Sequence, residues 1–244
     1  MKKTLLGILL SLVLVSVASA VVIGDVPAYY SAVGCGPTAA ASVMGYYDLH
    51  GYDNMFAASG WGAVSLTGNV EVETWQLANA MGTTSGWTLV SNFASGVTNF
   101  ASQQGYNFVA TTLDYREFSW LDYTNAIDSN RPVLMAVDSN GDWNCDHSVS
   151  AVGYEERADG LYYGYYNGWN EYEGIQWAKF AWSVFNTESW GVSFATFISP
   201  VYEASPTPRT IDVIPVSVPV PEPTTFLLLG LGLIGLIGFK TKSN

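Results

Sequence analysis

Three residues have the types and positions that acyl transfer through a thiol would need: Cys35, His147 and Asn167. A cysteine nucleophile requires a thiolate, a base to make it and a group that orients the base. Cys35 immediately precedes Gly36-Pro37-Thr38, which reads as a helix start, since proline is tolerated in a first turn where its missing N–H would be unpaired anyway. The partial positive charge at a helix N-terminus favours a thiolate there. His147 stands in Asp146-His147-Ser148-Val149-Ser150-Ala151-Val152-Gly153-Tyr154, near the start of a predicted strand, and Asn167-Gly168-Trp169 follows twenty residues later at the end of the next strand. Adjacent antiparallel strands would set His147 beside Asn167. The Asn167 amide oxygen would then accept from one imidazole nitrogen, leaving the other to face the thiol.

The second of the two cysteines complicates this arrangement. Cys145 lies two residues before His147, so on a continuous strand it faces the same side. Three readings are open: a permanent Cys35–Cys145 disulfide that leaves no nucleophile, two free thiols, or a reversible disulfide that masks the active thiol until it is reduced. His50, the other histidine, falls at the end of the first helix and reads as a surface residue. Two histidines with cysteines this far apart make no zinc set. Asp48, Asp53 and Asn54 lack EF-hand spacing and read as turn residues. No cofactor and no metal are implied.

The elements that must position these residues divide the chain into helices first and strands afterwards. After an extended lead-in from Val21 to Tyr30, a helix runs from Gly36 towards Leu49-His50-Gly51, with Ala40, Val43, Met44 and Tyr47 on one buried face. Glu71 to Met81 and Phe93 to Gln104 read as two further helices, Tyr106 to Leu113 as a strand. Arg116 to Ser129 reads as an amphipathic helix with Phe118, Leu121 and Ile127 on its apolar side. Strands are predicted over Pro132 to Val137, His147 to Tyr154, Leu161 to Asn167, Ile175 to Phe180 and Phe194 to Ile198, separated by Gly, Asn and Asp turns. The expected class is α+β, N-terminal helices packed on a C-terminal antiparallel sheet.

The two ends differ in composition from this region. Met1-Lys2-Lys3, an apolar run from Leu5 to Val17 and Ala18-Ser19-Ala20 read as a signal peptide over residues 1–20, cut by signal peptidase after Ala20. Residues 21–202 then form one domain, with four basic residues against eighteen acidic ones, a net of −14. So acidic a surface repels nucleic acid and anionic headgroups. Residues 203–220, rich in Pro, Ser, Thr and Val, suit an extended spacer. Beyond it lie Pro221-Glu222-Pro223, an uncharged apolar stretch over residues 224–239 and the basic Lys240 and Lys242. As a helix that stretch reaches roughly 24 Å, short for a hydrocarbon core of about 30 Å, which suits a transient anchor.

Two resemblances follow from these motifs. Gly34-Cys35-Gly36-Pro37-Thr38-Ala39-Ala40 resembles the nucleophile motif of the bacteriocin-processing (double-glycine leader) peptidases and their exported relatives. The Asp-His-x-Val-x-Ala-Val-Gly-Tyr and Asn-x-Trp stretches are similar to the histidine and asparagine motifs of papain. The resemblance implies a papain-like fold and a cysteine peptidase acting on a peptide or protein, with Cys35 as nucleophile, His147 as base and Asn167 as orienter. The family usually places a Gln six residues before the nucleophile, where its side chain joins the cysteine N–H in holding the oxyanion. Here that position is Tyr29, so the oxyanion candidates are Cys35 and a hydroxyl from Tyr29, Tyr30 or Ser31, and loss of one donor typically costs about 100- to 1,000-fold in rate. The alternative is a catalytically inactive papain-like module that binds a partner at the surface or in a matrix. Residues 221–244 resemble a PEP-CTERM sorting signal. That implies transient anchoring in the inner membrane, recognition by an exosortase-type enzyme and delivery to the cell surface or extracellular matrix.

Overall fold

The computed structural model describes residues 20–30, 32–53, 55, 67–69, 71–169, 174–185 and 187–201. The expected signal peptide over 1–20 apart from Ala20, the expected linker over 203–220 and the C-terminal tail with its 224–239 stretch lie outside them. The chain divides into two compact units, Met1–Val201 and Tyr202–Asn244, and all the described residues belong to the first. Among them no helix is long and apolar enough to cross a membrane.

Short strands β1 (Val21–Val22) and β2 (Ala28–Tyr30) lead into helix α1 (Cys35–Leu49). Strand β3 (Thr67–Asn69) pairs in parallel with β2 as a separate small sheet, which the sequence did not suggest. Helices α2 (Glu71–Ala80) and α3 (Phe93–Gln103) and strand β4 (Phe108–Asp114) follow, then helix α4 (Trp120–Asp128). The second half is β5 (Val133–Asp138), β6 (His147–Arg157), β7 (Gly160–Tyr166), β8 (Gln176–Lys179) and β9 (Gly191–Pro200). The main sheet runs β4-β9-β5-β6-β7-β8, with β1 added to β6, and every pairing in it is antiparallel. The expected α+β class holds.

α1 is buried from Gly36 to Tyr47 all round, not along one face. It packs against β5 and β6 on one side and against α2 and β2 on others. Its small residues allow this: a Cβ at Gly45 would approach Tyr29 Cε2 to 3.0 Å, so glycine there admits a tyrosine ring against the helix backbone. β5 is buried at every position because both α1 and α4 pack against it, which explains its unbroken apolar run Val-Leu-Met-Ala-Val.

The helix expected from Arg116 starts four residues later. Ser119 accepts from the Asp122 N–H while the Asp122 carboxylate accepts from the Ser119 N–H, a reciprocal cap that fixes the start at Trp120. Leu121 faces outward, 65 % exposed, while Tyr123, Ala126 and Ile127 are buried. Phe118 is buried from the preceding turn, against Phe180, Trp182 and Phe197.

Candidate active site

Cys35 is the first residue of α1, and its helix opens without a side-chain cap: Gly34 at the cap position has φ +144° and no side chain to offer. The first-turn N–H groups of a helix have no acceptor within it, and Pro37 contributes none. Cys35 therefore stands at an uncapped helix end, where N–H groups and the dipole favour negative charge. Thr38 ties the turn back, its hydroxyl donating to the Gly34 carbonyl at 2.7 Å.

The glycines on either side of Cys35 have a steric cause. A Cβ on Gly34 would lie 2.6 Å from the Gly86 carbonyl oxygen, and one on Gly36 would lie 3.0 Å from Thr88 Oγ1 and 3.2 Å from its Cβ. The connection between α2 and α3 thus packs closely against the residues on either side of Cys35. It is braced by the Thr84–Trp87 bridge and by a 2.7 Å hydrogen bond between the Thr83 and Thr88 hydroxyls. Sequence reasoning missed this wall. The Gly-Cys-Gly pattern was its only trace, since paired glycines signal close approach of another backbone without saying which one.

His147 is the first residue of β6 and is buried. Its Nε2 lies 2.9 Å from the main-chain carbonyl oxygen of Asn167, just beyond β7. A carbonyl only accepts, so Nε2 carries the proton and Nδ1 keeps a free lone pair. The adjacency of the two strands is as expected, but the orienting atom differs: the Asn167 side-chain oxygen accepts from the Trp169 N–H at 2.8 Å instead. That bond folds Trp169 back over the imidazole, ring centroids 4.3 Å apart, while Trp190 meets it edge-on at 5.8 Å. Burial among these rings lowers the His147 pKa, opposed by its bond to Asn167 and by the charge of Asp146. The imidazole is held neutral, in the form that can take a proton.

Cys35, Cys145 and His147 line one cleft of about 40 Å³, room for roughly three waters. Its walls are Cys35 and Gly36 from α1, residues 145–148 at the head of β6, and Trp87, Thr88, Val90 and Phe93 from the crossing segment. Both cysteines are free thiols. Burial pushes the Cys145 thiol up to about 12, helped by the charges of Cys35, Asp146 and Asp138 and opposed by a hydrogen bond with Ser193.

Cys145 reaches the cleft on the connection between β5 and β6, beside His147 where its spacing placed it. The buried Asp138 carboxylate accepts from the N–H groups of Asn140, Gly141, Asp142 and Trp143 at 2.6–3.2 Å. Asp146 accepts from the Ser139 N–H and hydroxyl and from the Asn140 amide. The alternation of Asp and Asn at 138, 140, 142, 144 and 146 was legible as a turn signal. Its carboxylates are engaged with their own backbone, and among the described residues no group of His, Cys, Asp or Glu side chains could hold a metal ion.

Tyr29 does not serve as the oxyanion donor that its position suggested. Its ring is buried and lies along α1, the hydroxyl 3.2 Å from where a Cβ of Gly45 would be. Gly45 is ten residues beyond Cys35, roughly 15 Å along the helix. The physical reason is the cavity that Gly45 opens to an aromatic ring. His50 is exposed, stacked on Tyr46 with ring centroids 4.1 Å apart.

Two family models match the chain. A PEP-CTERM protein-sorting motif matches residues 219–242, which implies recognition by an exosortase-type sorting enzyme. No curated protein matches the chain. The family model of the Peptidase_C39 like family matches residues 23–192, well over half of the chain and a range that includes Cys35, His147 and Asn167. With its papain-like arrangement of helices on an antiparallel sheet, the chain belongs to the Peptidase_C39 like family.

Proposed function

We propose that this protein is an exported cysteine peptidase that cleaves peptide bonds through a Cys35 thioester. The observation that carries the reading is the conjunction, in one cleft, of a cysteine at an uncapped helix N-terminus and a buried neutral histidine whose protonated nitrogen is already engaged. His147 Nδ1 takes the Cys35 proton as the sulfur attacks the scissile carbonyl. The oxyanion forms beside the N–H groups of Cys35 and Gly36 at the start of α1. The imidazolium then gives its proton to the leaving amine, and the thioester remains. A water, deprotonated by Nδ1, releases the acid and restores the thiol. Sorting by the C-terminal motif, with cleavage near Pro221-Glu222-Pro223, completes the proposal and places the mature protein at the cell surface or in an extracellular matrix.

A second reading draws support from Tyr29. With its hydroxyl beside Gly45, it supplies no donor to the oxyanion, as a peptidase fold kept for binding would allow. Labelling with an epoxide thiol-protease inhibitor, followed by intact mass, separates the two. A peptidase takes up one inhibitor at Cys35, and the label is lost in Cys35→Ser and strongly slowed in His147→Ala. A fully reduced chain that stays unlabelled is a binding module.

A further inference from the structure

We propose that Cys145 is a resolving thiol built into the active site, which captures oxidised Cys35 as an intramolecular disulfide and so keeps the site working only under reducing conditions. This rests on Cys35 being the reactive nucleophile of the preceding section. The chain has two cysteines, 110 positions apart in sequence, and both line the same cleft of about 40 Å³ as free thiols. Cys145 has no part in the acyl-transfer steps, which the helix start and His147 carry between them. Yet it is held firmly in place. Asp138 and Asp146 fix the loop that carries it, and Ser193 beside the thiol is itself held by the Ser183 hydroxyl at 2.8 Å.

The division of labour follows from the environments. Oxidation selects thiolate character and access; Cys35 stands at an uncapped helix N-terminus whose N–H groups favour negative charge, while burial disfavours the Cys145 thiolate. A hydroperoxide therefore meets Cys35. The Cys35 sulfur takes one peroxide oxygen, the O–O bond breaks, and hydroxide leaves; the sulfur loses two electrons and the peroxide gains them. Cys35 is then a neutral sulfenic acid. The Cys145 sulfur attacks the Cys35 sulfur, the S–S bond forms as the S–O bond breaks, and the leaving hydroxide takes the Cys145 proton as water. A dithiol reductant reverses the bridge by thiol–disulfide exchange and is itself left as the disulfide.

The test treats the reduced full-length chain with graded hydrogen peroxide, alkylates it with iodoacetamide and maps the peptides by mass. The expected result is a Cys35–Cys145 cross-linked peptide, complete loss of epoxide labelling, and full recovery of labelling with dithiothreitol. Cys145→Ala at the same dose is expected to end as Cys35 sulfinic or sulfonic acid, which dithiothreitol does not restore. Cys145→Ser, which keeps a partner for Ser193, is expected to do the same. Overoxidation of wild-type Cys35 at the dose that overoxidises these variants, or persistent alkylation of both thiols, overturns the proposal. The cross-link is read by mass without any turnover, so its absence removes the latch alone, whereas failure of the reduced chain to take the epoxide removes the peptidase reading beneath it.

Discussion

At the scale of single residues, the site depends on which atom holds which. Because the carbonyl of Asn167 and not its amide holds His147, Asn167→Ala keeps the acceptor and the tautomer. We expect its epoxide labelling rate to stay within about tenfold of wild type, although losing the side-chain orienter of a triad can cost on the order of 10⁴. His147→Ala, which removes the base, should slow labelling by about 10²- to 10⁴-fold. A rate for Asn167→Ala as low as that of His147→Ala would show that the amide is the working orienter. The same histidine sets a pH dependence of stability. Its folded pKa lies below the unfolded value, about 6.5, so its contribution is complete above that pH. As pH falls below about 6.5 the unfolded chain takes up the proton first, and stability is lost towards the folded pKa. Melting curves of wild type and His147→Gln should therefore converge on acidification, with wild type falling faster.

At the scale of elements, Cys35 sits at a close crossing of chain segments. Gly34→Ala places a Cβ 2.6 Å from a backbone oxygen at a φ of +144°, and should cost roughly 1–3 kcal/mol by overpacking. Urea denaturation would measure it, and an unchanged midpoint would mean that the 84–88 segment moves aside freely. Ser119→Ala removes half of the reciprocal cap on α4 and should cost about 1 kcal/mol, with no change in thiol labelling because α4 does not line the cleft. Most of these elements were legible beforehand. α1, α2, α3 and the five later strands follow from periodicity and from Gly, Asn and Asp punctuation. The start of α4 and the parallel β2–β3 pair were not: a side-chain cap overrode the apolar pattern in one, and three residues hold no period in the other.

At the scale of the whole molecule, the sheet is closed by its last strand. β9 lies between β4 and β5, and the Val201 N–H donates to the Asn107 carbonyl at 2.9 Å just beyond it. Ending the chain at Val201 should leave cooperative unfolding of the domain intact, while ending it at Trp190 removes a central strand and should leave no cooperative transition by circular dichroism. A cooperative transition in the shorter chain would show that the helices and the β5–β8 ladder fold without it.

The sequence by itself determined the class of fold, the order of its elements, the cysteine and histidine that share the cleft, and the sorting motif. These depend on local propensity, on period and on residue types whose chemistry is fixed in the chain. Tertiary structure decided the rest. It chose a backbone carbonyl over a side chain as the partner of His147, sent the Tyr29 ring along α1 towards Gly45, laid the segment between α2 and α3 beside Cys35 and set Cys145 and Cys35 in one cleft. Each of these is a contact between segments far apart in sequence, settled by which volumes fill which gaps and which donors meet which acceptors. Neither leaves a periodic mark on the chain.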